Sequence, residues 1–144
     1  MKAMIFAAGL GTRLKPITHD KPKALVEING IPLLEIVIER LKRFGFTDII
    51  INIHHKAQQI IDFTQTKNNF HINIAFSDES ERLLDTGGGL KKAGWFFNDG
   101  EAFLLCNVDI LSDIDLKAFY QSHTDSDGLV TLAVNNSKNS RSLL

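Results

Sequence analysis

Apolar residues gather along the chain into five short runs, at residues 3–7, 48–53, 72–76, 102–106 and 129–134, and between the runs they recur every three or four positions. The runs are rich in Ile, Val, Phe and Leu and are as long as single strands, so each predicts a strand. Residues 32–44 place Leu34, Val37, Ile38, Leu41 and Phe44 on one helical face. Pro32 suits the first turn of that helix, and Gly45 suits its stop. Residues 56–66 repeat the pattern through Ile60, Ile61 and Phe63, and residues 115–123 through Leu116, Phe119 and Tyr120, with Ser112 or Asp113 as the cap. Strands alternating with helices predict an α/β fold, a Rossmann-like mixed but mostly parallel sheet with helices on both faces. Ligands of such sheets sit beyond the carboxyl ends of the strands, so the segments just after each run are where chemistry is expected.

A chain of 144 residues is long enough for one core and too short for two. Sixteen Lys plus Arg against seventeen Asp plus Glu leave a formal charge of -1, so no global positive field holds nucleic acid or an anionic membrane. Neither partner is expected. The apolar stretch 4–8 runs straight into Gly9, Arg13 and Lys15, too short for a membrane span and wrong for a signal peptide, which predicts a cytoplasmic protein. The one cysteine, Cys106, lies inside an apolar run and reads as a small buried hydrophobe, with no disulfide and a reducing compartment.

Directly after the first run comes Ala7-Ala8-Gly9-Leu10-Gly11-Thr12-Arg13-Leu14-Lys15-Pro16, a glycine-punctuated loop whose N–H groups suit a phosphate. Leu14 stands at the third glycine position of a dinucleotide fingerprint, and no Gly-Lys-Ser or Gly-Lys-Thr follows, so neither an NAD loop nor a Walker A loop is present. Four of the sixteen cations, Arg13, Lys15, Lys21 and Lys23, crowd into this short stretch. An arginine fork and a lysine point charge together suit a triphosphate and the charge that develops as pyrophosphate leaves.

Gly9-Leu10-Gly11-Thr12-Arg13, followed by Pro16, Thr18, Pro22-Lys23 and Leu25, resembles the signature of the sugar-1-phosphate nucleotidyltransferase family. Asp85-Thr86-Gly87-Gly88-Gly89 resembles the family's base-recognition loop, and Leu104-Leu105-Cys106-Asn107-Val108-Asp109 resembles the strand that ends in a metal-binding aspartate. Val108 stands where the family usually has glycine. The resemblance implies transfer of a nucleoside monophosphate to a sugar 1-phosphate with release of pyrophosphate. It implies Arg13 and Lys23 as catalytic residues, and Ala8, Gly9, Gly11, Thr12, Arg13, Lys23, Gly87, Gly88 and Asn107 as nucleotide contacts. Asp109 would hold Mg2+, a hard cation suited to one or two carboxylates plus phosphate oxygens. The acidic-Thr-Gly-Gly-Gly loop is most similar to that of the N-acetylmuramate 1-phosphate uridylyltransferases of cell-wall recycling, which makes UTP the expected nucleotide. Guanylyl- and cytidylyltransferases share the first motif, and a non-catalytic nucleotide-binding regulator is the rival of another class; Arg13, Lys23 and Asp109 argue against the regulator.

Family members continue beyond this length and supply acceptor contacts and a second metal-binding aspartate there. Residues 1–144 are therefore expected to be the N-terminal part of a single nucleotidyltransferase domain, cut short at its C-terminus and inactive alone, with Ser140-Arg141 and Leu143-Leu144 resembling the start of the next strand. His54 and His55, adjacent at a strand end, point different ways and are not expected to bind metal. Trp95, Phe96 and Phe97 are expected to pack on the sheet.

Overall fold

The computed structural model describes residues 1–134. Four parallel strands, β1 (Lys2–Phe6), β4 (Asp48–Ile53), β5 (Asn73–Asp78) and β6 (Phe103–Asn107), form one sheet in the order β5-β4-β1-β6. A two-stranded antiparallel ribbon, β2 (Glu27–Ile28) with β3 (Ile31–Pro32), stands apart from it. Three helices connect these strands, α1 (Leu33–Arg43), α2 (Ala57–Thr66) and α3 (Asp85–Lys92), and α4 (Leu116–Thr124) follows β6.

The central strands are apolar on both faces because helices cover both. Ala3, Ile5, Ile49, Ile51 and Ile53 point into the larger core with Leu34, Ile38 and Leu41 of α1, Ile60 of α2 and Leu116 of α4. Met4 and Ile50 point the other way, against Leu90 of α3 and against Ala93 and Phe96 just after it. The expected α/β fold is the one observed. Pro32 precedes α1 instead of lying in its first turn, and the helix ends before Gly45, whose φ of +87° only glycine adopts readily. The cap of α4 is Asp115, which accepts from the N–H groups of Lys117 and Ala118, and neither Ser112 nor Asp113 fills that position.

Two further expectations fail. Residues 129–134 form no strand: among the described residues they have no ladder partner, only a contact of the Thr131 hydroxyl with the His123 ring at 2.9 Å, and Leu129, Val130, Leu132 and Val134 are all largely exposed. Their apolar alternation has no neighbouring strand among the described residues to pack beside, and β propensity alone does not make a strand. Trp95 is 58% exposed, whereas Phe96 is buried in the core and Phe97 stacks on Phe103 at 3.9 Å. The resemblance noted at Ser140 to Leu144 lies outside the described residues.

Candidate active site

A cleft of about 200 Å³ opens at the carboxyl end of the sheet, where β1 and β6 lie side by side. Its walls include Ala8 and Gly9 after β1, Lys23 from the turn Lys23–Leu25, Asp85 and Thr86 of α3, and Asn107 and Asp109 after β6. Segments far apart in sequence meet here because parallel β1 and β6 end at the same level, with Phe6 opposite Asn107. Lys23 Nζ donates to the carboxylate of Asp109 across the mouth of the cleft. Asp109 is exposed, with 39% of its side chain open to solvent.

The glycine loop is shaped by close approach. Gly11 has φ +65°, and a Cβ there would lie 2.9 Å from Thr18 Cγ2, so only glycine fits. Thr18 then donates its hydroxyl to Gly11 O at 2.8 Å and ties the loop to the segment that leads to Lys23. Thr12 and Arg13 follow in a short 3-10 turn, exposed and outside the cleft wall. Of the residues singled out in the sequence, the structure gathers Ala8, Gly9, Lys23, Asn107 and Asp109 around one cavity. It leaves Gly11, Thr12, Arg13, Gly87 and Gly88 off its lining.

Residues 85–89, read as a loop, are the first turns of α3. A Cβ at Gly87 would meet nothing within 4 Å, one at Gly88 would lie 2.9 Å from Leu84 Cβ, and one at Gly89 would lie 2.6 Å from Glu79 Oε1. The third glycine is therefore the one the packing most demands. Val108 borders the cleft yet is buried in the larger core, and its N–H donates to Phe6 O at 3.2 Å.

Two site residues escaped the sequence reading. Asn52 and Glu79 both line the floor of the cleft and are almost wholly buried. The only sequence signal was a polar residue inside the otherwise apolar run Ile49 to Ile53. His54 and His55 do not line the cleft, and among the described residues no group of three or more His, Cys, Asp or Glu is placed to hold a metal. Burial pushes the Cys106 thiol up to about 12, the state of a packing residue rather than a nucleophile. Among the described residues no helix is long and apolar enough to cross a membrane.

A parallel α/β sheet with a glycine loop after its first strand and a Lys–Asp pair over the adjoining strand ends defines the doubly wound class of α/β domain, with its cleft at the carboxyl edge of the sheet. The particular family follows from comparison. The nucleotidyl transferase family model matches residues 2–142, and the chain belongs to that family. It is 42% identical over 122 residues to the N-acetylmuramate alpha-1-phosphate uridylyltransferase of Neisseria meningitidis serogroup B, covering 85% of this chain and 52% of that protein. It is 37% identical over 142 residues to the UTP–glucose-1-phosphate uridylyltransferase of Synechocystis, covering 92% of this chain and 36% of that one. Among solved structures it resembles HddC from Yersinia pseudotuberculosis complexed with GMP-PN, with a TM-score of 0.76 and 36% identity over 88% of this chain and 55% of that chain. The chain thus spans about half or less of the length of the curated relatives it matches.

Proposed function

We propose that this chain carries the nucleotide-binding part of a sugar-1-phosphate nucleotidyltransferase with UTP as its nucleotide. The observation that carries the reading is the Lys23–Asp109 pair at the mouth of a cleft floored by the ends of β1 and β6. In the reaction a phosphate oxygen of the sugar 1-phosphate attacks the α-phosphorus of the triphosphate, the bond to the bridging oxygen breaks, and pyrophosphate leaves. No covalent enzyme intermediate is needed, so positioning and charge neutralisation do the catalysis.

Lys23 would bridge the reacting phosphates once a polyanion draws it from Asp109. Arg13, exposed on the 3-10 turn beside the loop, would meet the outgoing phosphates, together with the N–H groups that follow Ala8. Thr86 and the glycines of α3 would face the base, with Gly87 and Gly88 as backbone contacts, and Asn107 would meet the ribose. The carboxylate of Asp109 suits Mg2+, since a hard cation in such a site takes one or two carboxylates and completes its shell with phosphate oxygens and water. When bound, that ion would supply further neutralisation of phosphate charge.

Uridine is favoured because the two relatives described above are uridylyltransferases and the Asp85-to-Gly89 segment has the acidic-Thr-Gly-Gly-Gly form; the mannose-1-phosphate guanyltransferases among the other relatives and the GMP-PN held by HddC favour guanosine as the second reading. N-acetylmuramate 1-phosphate is the acceptor proposed first, with glucose 1-phosphate next, and cell-wall recycling in the cytoplasm is the setting that follows from the first. A pyrophosphate-release screen decides, crossing UTP, GTP, CTP and dTTP with these acceptors and mannose 1-phosphate on the polypeptide that the gene encodes. Release with UTP is expected. Binding of nucleotide without release from any pair would replace the enzyme with a regulatory relative.

A further inference from the structure

One chain of hydrogen bonds runs under the cleft and joins the two segments that the proposed reaction would use. The N–H groups of Ala7 and Ala8 donate to Asn52 Oδ1 at 2.7 and 3.3 Å. Asn52 Nδ2 donates to Glu79 Oε1 at 2.8 Å, and Glu79 Oε2 accepts from the N–H of Leu84 at 3.1 Å, one residue before α3. Asn52 is 3% exposed and Glu79 fully buried. Both ends of this chain are backbone donors, which fixes its polarity: Asn52 has to turn its oxygen to the loop, and Glu79 has to accept on both sides.

A buried carboxylate with no cationic partner among the described residues is costly, and apolar packing would serve stability better. Here its effect is a fixed spacing between the glycine loop and α3, and Gly89 leaves the space for it. The Ala7 and Ala8 N–H groups are also taken up by Asn52, so they are not offered to a phosphate. The geometry points to Asn52 and Glu79 as positioning residues for the nucleotide, acting through the loop and α3 without touching the reacting atoms. This rests on the nucleotidyl-transfer reading.

Exchange of polarity tests it. N52D sets a carboxylate against a carboxylate, and E79Q leaves one acceptor for two donors. In N52D/E79Q the new carboxylate accepts from Ala7 and Ala8, while the new amide donates to it and accepts from Leu84, so the alternation is whole again. Each single variant is expected to raise the KM for the triphosphate about tenfold or more, leave the KM for the sugar 1-phosphate within about twofold, and blur the preference between UTP and GTP. The double variant is expected to recover most of both losses. Wild-type triphosphate KM in the singles overturns the inference, as does a rise of both KM values together in step with lost melting temperature. If the singles do not fold, the double decides alone: a folded protein with near-wild-type triphosphate KM supports the inference, and anything else overturns it. Amide exchange gives a readout independent of turnover: Asn52→Ala should expose Ala7 and Ala8 to exchange while Ile50 and Ile51 stay protected. Should the wild type turn over no substrate pair, the nucleotidyl-transfer reading fails by itself, and unchanged exchange at Ala7 and Ala8 would sink the hydrogen-bond relay separately.

Discussion

The ammonium of Lys23 and the carboxylate of Asp109 neutralise each other across a half-open cleft, so the pair contributes little to stability and its charges stay available to a ligand. Lys23→Ala in the encoded polypeptide is expected to lower turnover by roughly a hundredfold or more, with melting changed by no more than a few degrees. Turnover near the wild-type rate would remove Lys23 from the machinery. Cys106 gives a pH-dependent expectation. Its thiol is held up to about 12 against an ordinary 9, so above pH 9 the unfolded chain releases a proton that the folded one keeps. Stability therefore falls as pH rises from 9 towards 12, and melting of the wild type should decline more steeply over that range than melting of Cys106→Ala. Parallel slopes would show that the thiol ionises freely. Lys23 was legible as a candidate because it sits in a basic cluster that resembles the family signature, and Asp109 because it stands at the end of an apolar run. Asn52 and Glu79 were not, because a buried network is set by which strands neighbour one another, and nothing in either residue's own surroundings announces that.

Among the elements, α3 departs furthest from its sequence. Three consecutive glycines are poor helix formers, each costing about 1 kcal/mol relative to alanine, so a turn or loop was the natural expectation. The helix stands because packing and the Leu84 N–H bond to Glu79 hold its start. Opposite outcomes are expected two residues apart. Gly87→Ala adds a methyl to open space and should stabilise by up to about 1 kcal/mol, whereas Gly89→Ala drives a Cβ against the Glu79 carboxylate and should cost about 1–3 kcal/mol. Urea midpoints that move together would mean that helix propensity alone governs the segment. Residues 129–134 erred in the reverse direction: a strand is made by its partners as much as by its residues, and the alternation there could not report whether a partner existed. The four sheet strands and α1, α2 and α4 were legible because length and periodicity agreed with burial.

For the whole molecule, any ligand that binds only the folded form raises melting by mass action, in proportion to the logarithm of its concentration over its Kd. UTP is expected to raise the melting temperature more than GTP at equal concentration, and an equal or larger shift with GTP would overturn the uridine preference. The sheet carries a different consequence at its margin. On one side β6 pairs with β1, and among the described residues its other side pairs with no strand, while Phe103 to Cys106 bear no charge and Leu105 is 40% exposed. A row of free N–H and C=O groups beside uncharged apolar residues is a template for another chain. For a polypeptide of these residues alone, encounter between such margins rather than unfolding is expected to limit the concentration tolerated in solution. Leu105→Lys should raise that ceiling and slow the growth of light scattering while leaving melting within about 1 kcal/mol of the wild type. Unchanged scattering would place the sticky surface elsewhere. If scattering slows while melting holds, shelf life and fold stability are two separate properties of this protein, improved by different substitutions.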